Sequence, residues 1–173
     1  MKKQTRTRQD KQVQKNLDWL IEFAECLGFD VEMSTHSTIC FNDDFTDSNE
    51  FDKGLITLQR HRNTSLTLYD LLHELAHYKI RKDWKQYAKR YPTTSMLFLN
   101  NNNKVVIPRN ARYYTEVVRE EFEAWELALQ TAGEFKIKID KEHFQRYAAN
   151  SIYSYMTHFT NKTTKKKSKQ HDE

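Results

Sequence analysis

The sequence predicts an α+β domain made mainly of helices, with a small sheet of short strands, and three observations point there. Only three of the 173 residues are Gly and two are Pro, too few for the tight turns that an all-β chain needs. Three long stretches space their apolar residues as a helix does, and two short runs rich in β-branched residues lie between the first and second of them. Hydrophobic residues at 38% and aromatics at 13% are enough to build one core in a chain of this length.

The elements follow in order. QVQKNLDWLIEFAECL (12–27) puts Leu17, Leu20, Ile21, Ala24 and Leu27 on one stripe, with Gly28 as the stop. VEMSTHSTICFN (31–42) alternates loosely and reads as one or two short strands, DDFTDSNEFD (43–52) as a polar loop, and GLITLQ (54–59) as another strand. After the turn-like RHRNTS, Thr64 or Ser65 can cap a helix running to about Arg90, where Tyr91-Pro92 ends it. Residues 93–110 read as a long loop, with a short strand at KVVI. Residues 111–132 form a second strong helix ended by Gly133, and Asp140 caps a third over 141–159.

The net charge of +4 is carried by the ends. Residues 1–12 hold five basic side chains against Asp10, and residues 161–173 hold five lysines against Asp172 and Glu173, so the body between is net −3. This divides the chain into a basic tail (1–11), a folded domain (12–160) and a disordered lysine-rich tail (161–173). Such tails have the charge for weak contact with nucleic acid, although a solvated end is the plainer reading. Cys26 and Cys40 form no CxxC pair, so a reducing cytosol is the expected compartment. The N-terminus lacks the apolar segment of a signal peptide, and no apolar run is long enough to span a membrane, so no membrane partner is expected.

The chemistry is concentrated in LYDLLHELAHYKI (68–80). Helix positions four apart differ by only about 40°, so His73 and His77 can aim both imidazoles at one point, as tetrahedral zinc requires at about 2.0–2.1 Å. Glu74 lies about 100° from His73 and about 60° from His77. From there it can reach a water beside the ion without being a ligand itself. Zinc lowers the pKa of such a water towards about 7, and a neighbouring carboxylate takes its proton as it attacks a carbonyl. Shuffling this composition would produce HExxH in roughly two chains per hundred, so context has to carry the motif. The context is a mid-helix position among Leu71, Leu72, Leu75 and Ala76, with Asp70 one turn before His73 and able to orient an imidazole. Against this stands a helix whose histidines are ordinary surface or core residues.

A hydrolytic site needs a third ligand. YYTEVVREEFEAWELALQTAG (113–133) offers Glu116, Glu120, Glu121, Glu123 and Glu126. Its principal apolar stripe is Val118, Phe122, Trp125, Leu129 and Ala132. Beside it a second row, Val117, Glu121, Ala124 and Ala128, sets a carboxylate among small residues that admit a neighbouring helix. Glu116, Glu120 and Glu123 point away, as solvated residues would. Glu121 is the best-placed ligand, with Glu120 and then Glu123 in reserve; His143 and His158 have no supporting pattern.

HELAH on a helix led into by short strands, with EFEAWELA on a later helix, resembles the ImmA/IrrE-type zinc metallopeptidases and their E-x-x-A-N-x-x-A signature. The resemblance covers about residues 54–132. It implies a zincin-like domain whose sheet packs on the HELAH helix, Zn²⁺ held by His73, His77 and Glu121, Glu74 as catalytic acid/base, and Ala124 and Ala128 as the small residues behind the ligand. It implies a protein or peptide substrate and fits a phage or mobile element acting in the host cytoplasm. Trp125 stands where the signature has Asn, and no apolar Leu-Leu-Met-Pro segment follows. SprT-like metalloproteases share HExxH but take a histidine third ligand, and this chain has no zinc-ribbon cysteines. The leading expectation is therefore a zinc-dependent peptide hydrolase. The alternatives are a regulatory or binding protein with a structural metal and a helical nucleic-acid binder with an accidental motif. Tyr113, Tyr114, Tyr153, Tyr155 or a histidine could stabilise an oxyanion, and the sequence singles out none of them.

Overall fold

The computed structural model describes residues 8–41, 54–61, 63–99 and 110–168, the side chains of 40, 41, 97–99 and 161–168 excepted. The α+β expectation holds: six helices and a three-stranded sheet make up the described residues. Contacts gather them into two compact units, one formed by the chain up to Tyr87 together with Ala124–Ile139, the other by Ala88–Glu123 and the residues from Asp140 on.

In the first unit, α1 (Arg8–Cys26) buries Leu17, Leu20 and Ala24, the predicted stripe, while Leu27 is exposed. Gly28 follows at φ 95°, the left-handed turn that glycine adopts without steric cost. The strands are β1 (Phe29–Ser34), β2 (Thr38–Phe41) and β3 (Gly54–Gln59). β3 lies centrally, parallel to β1 (Val31 opposite Ile56) and antiparallel to β2 (Ile39 opposite Ile56). Its alternate residues Ile56 and Leu58 are fully buried, and β3 and β2 pack on the next helix, α2 (Thr64–Arg81).

Every residue of α2 from Thr67 to His77 is buried. A helix apolar on one stripe would lie on the surface; one covered on all sides is a central element, so the HELAH motif sits on the core helix of this unit. Its N-cap is Asn63, whose side chain accepts from Ser65 N at 3.0 Å, rather than Thr64 or Ser65. Nor does it run on to Arg90. It stops at Arg81 because Asp83 starts a new helix, α3 (Trp84–Arg90), accepting from Gln86 N at 3.0 Å. The end of α2 is tied to helix α5 (Ala111–Glu134) by Lys79, which donates to Thr131 Oγ1 at 3.0 Å and to Glu134 Oε2 at 3.1 Å.

The second unit corrects the expected loop. Part of it is α4 (Pro92–Leu99), with proline at the first helical position, where its missing N–H costs nothing. Its first amides, which lack partners within the helix, are satisfied from α5: Glu116 Oε2 accepts from Thr93 N at 2.7 Å and Thr94 N at 2.9 Å. The expected KVVI strand, the 43–52 loop and the outer parts of both tails lie outside the described residues. Gly133 does not end α5. The stop is Lys136 at φ 55°, with Lys136 N bonded to Gly133 O and Ile137 N to Ala132 O, the paired bonds of a Schellman close.

Asp140 does cap α6 (Lys141–Ser168), accepting from His143 N at 3.0 Å. That helix extends through residues assigned to a disordered tail. Adding a turn to an existing helix escapes the cost of nucleation, and lysine is a good helix former.

Candidate metal centre

His73 and His77 arrive on α2 one turn apart, 6% and 4% exposed. Their Nε2 atoms lie 3.1 Å apart, with the rings edge to face. Helix α5 is unbroken through Glu121 and Trp125, so these two residues stand one turn apart on one side of it. Trp125 stacks on the His73 ring, which brings that side of α5 to the histidines. One donor atom each from His73, His77 and Glu121 lie within 4.8 Å of one another, and all three residues are buried. Glu74, also buried at 5%, follows His73 on α2.

The donor set fits a divalent cation. Two ring nitrogens 3.1 Å apart are close enough that one ion would be held by both at the usual zinc–imidazole distance of about 2.0–2.1 Å. Two imidazoles with one carboxylate suit zinc and leave a coordination place open, though other divalent ions accept such donors. Burying the Glu74 and Glu121 carboxylates costs several kcal/mol each, about what a bound cation would offset.

The remaining predicted residues separate cleanly. Glu120 is 2% exposed and Glu116 8%, so neither is solvated as the helix geometry suggested, while Phe122, placed on the main apolar stripe, is 54% exposed. The buried side of α5 is centred on its small residues Ala124, Ala128 and Ala132. They allow close helix approach, and that outweighs the hydrophobicity of a single phenylalanine. Glu116 caps α4, and Glu123 accepts from Tyr91 Oη at 2.5 Å and pairs with Arg90. Burial and the Glu123 carboxylate together raise the Tyr91 pKa well above the usual phenol range. His143 and His158 on α6, and Glu120 and Glu123 on α5, are outside the donor group.

The imidazole shown on Asp70 is that of His61, outside the HELAH motif that the sequence set Asp70 beside: His61 Nε2 is 2.9 Å from Asp70 Oδ2, and Ser37 Oγ donates to the same oxygen at 2.6 Å and accepts from Gln59 N. This network ties the sheet to α2 one turn before His73. Nothing in local spacing announced it, because the partners are 9 and 33 residues away. The stack of Trp125 on His73 was equally unannounced, although a Trp four residues after the best-placed glutamate was the available signal.

Comparison with family models, curated proteins and solved structures gives no match. Among the described residues no helix is long and apolar enough to cross a membrane.

Proposed function

We propose that this chain is a zinc-dependent, metallopeptidase-like hydrolase of the ImmA/IrrE type, acting on a protein or peptide substrate in the cytoplasm. The observation that carries the reading is the buried convergence of His73, His77 and Glu121 donors within 4.8 Å. Together with HELAH and EFEAWELA, it meets the donor requirements of such an enzyme. A bound zinc would supply Lewis acidity, making water more acidic and polarising the scissile carbonyl.

The rest falls to the chain. His73, His77 and Glu121 hold the ion. Glu74 takes a proton from water as the water oxygen forms its bond to the carbonyl carbon. The Glu74 carboxylic acid then gives that proton to the amide nitrogen as the C–N bond breaks, so that acid and amine leave and the carboxylate is restored.

A second reading, a regulatory or binding protein with a structural metal, draws support from the burial of all four residues to 4–8% exposure, since structural zinc sites are closed ones. The deciding experiment loads the protein with one equivalent of Zn²⁺ and follows hydrolysis of a quenched-fluorescent peptide library. Turnover by the wild type, lost in a Glu74→Gln variant that still holds zinc, is the expected result. Equal turnover by that variant would rule out the role given to Glu74. Zinc at one equivalent with no turnover by the wild type, and unfolding on chelation, would favour the structural-metal reading.

A further inference from the structure

The indole of Trp125 lies flat on the His73 imidazole, with ring centroids 4.1 Å apart and planes inclined by 19°. His77 is a second aromatic neighbour of that imidazole, edge-on at 4.6 Å and 80°. Trp125 is 4% exposed and His73 6%, so the stack is sealed from water. Rotation of an imidazole about its second torsion is intrinsically soft. Here a large plane covers one face and the neighbouring ring bounds an edge, so turning His73 would drive it into one or the other.

The stack also discriminates between the empty and loaded centre. An imidazole that shares its lone pair with a divalent ion takes on partial positive charge, and indole presents the most electron-rich face among the side chains. Contact between the two rings therefore strengthens on metal binding. Trp125 itself supplies no donor atom to the ion.

We propose that Trp125 is a positioning residue for the metal centre, its indole fixing the plane of the His73 ring so that Nε2 points at the ion; the inference rests on the metal reading above. In α5 the residue stands four positions after Glu121, so one helix face delivers both a ligand and the plate that aims another ligand. This gives the tryptophan in EFEAWELA a task of its own.

The test strips the full chain with chelator and titrates it with Co²⁺, whose visible spectrum reports coordination geometry, and with Zn²⁺ in competition. Trp125→Phe keeps an aromatic face and should bind within about threefold of the wild type. Trp125→Leu keeps an apolar side chain but has no π face. It should lose about ten- to hundredfold in affinity, as when a residue supporting a ligand is removed, with a displaced Co²⁺ band. A residue that merely fills the core would lower the melting temperature of the metal-free protein and leave affinity and spectrum alone.

Wild-type affinity and spectrum in a folded Trp125→Leu protein would overturn the proposal. Should that variant not fold, the emission difference between wild type and Trp125→Phe decides. Zn²⁺ should change the Trp125 contribution up to one equivalent, and no change would overturn the proposal equally. A wild type that takes up neither ion defeats the metal reading, and this inference with it.

Discussion

Replacing Glu116 by alanine should cost about 3 kcal/mol of stability, and replacing it by glutamine about 1 kcal/mol. The difference follows from the geometry. Glu116 Oε2 accepts from two backbone amides of α4, and Oε1 accepts from Thr93 Oγ1 at 2.9 Å and Arg112 Nε at 3.1 Å. Alanine leaves the buried Thr94 amide and its neighbour without an acceptor, at about 1–3 kcal/mol for each buried group, and removes a negative charge from a helix N-terminus, worth about 0.3–1 kcal/mol. Glutamine can keep its oxygen on the two amides and turn its NH₂ towards Thr93, whose hydroxyl can accept as well as donate. Arg112, with a largely exposed side chain, then turns to water.

The pH dependence has a definite sign. Burial alone would raise the Glu116 pKa, but hydrogen bonds from the Thr94 amide, the Thr93 hydroxyl and amide, and Arg112 outweigh it and lower the pKa below 4.5. A carboxyl with a depressed folded-state pKa contributes stability that is fully present above its unfolded value and lost as pH falls through the folded one. The gap between wild type and Glu116→Gln should therefore be constant from neutral pH down to about 5 and shrink below 4.5. Urea denaturation at a series of pH values measures it. Equal losses for the alanine and glutamine variants, or a gap that widens in acid, would refute the capping argument.

Two further outcomes are expected. Glu121→Gln should lower the metal found by elemental analysis well below one equivalent, while Glu116→Gln leaves it unchanged; full metal content in Glu121→Gln would remove that residue from the ligand set. Lys136→Gly should raise stability by about 0.5–1 kcal/mol in thermal melts, because an L-residue in the left-handed region costs about 1–2 kcal/mol and glycine returns part of that as chain entropy; a lower melting temperature would contradict the strain assigned to φ 55°.

Local information settled much of this protein. The stripe of α1, the short strands within residues 29–59, the Asp140 cap and the one-turn spacing of His73 and His77 all depend on neighbours within a few positions, where helix and strand periodicity suffice. The side of α5 that carries Glu121 was legible too, from the small residues Ala124 and Ala128 beside it.

Tertiary structure decided what depends on distant partners. That Glu116 and Glu120 are buried follows from what packs on α5; the sequence pattern made both look solvated. Helix α4 gains its cap from a residue over twenty positions away, so its sequence read as loop. That donors of Glu121 and the two histidines gather, and that Trp125 lies on one of those histidines, depends on residues from two helices separated in the chain by α3 and α4. Periodicity determines which face of a helix a side chain occupies; only the packing of helices determines what that face meets.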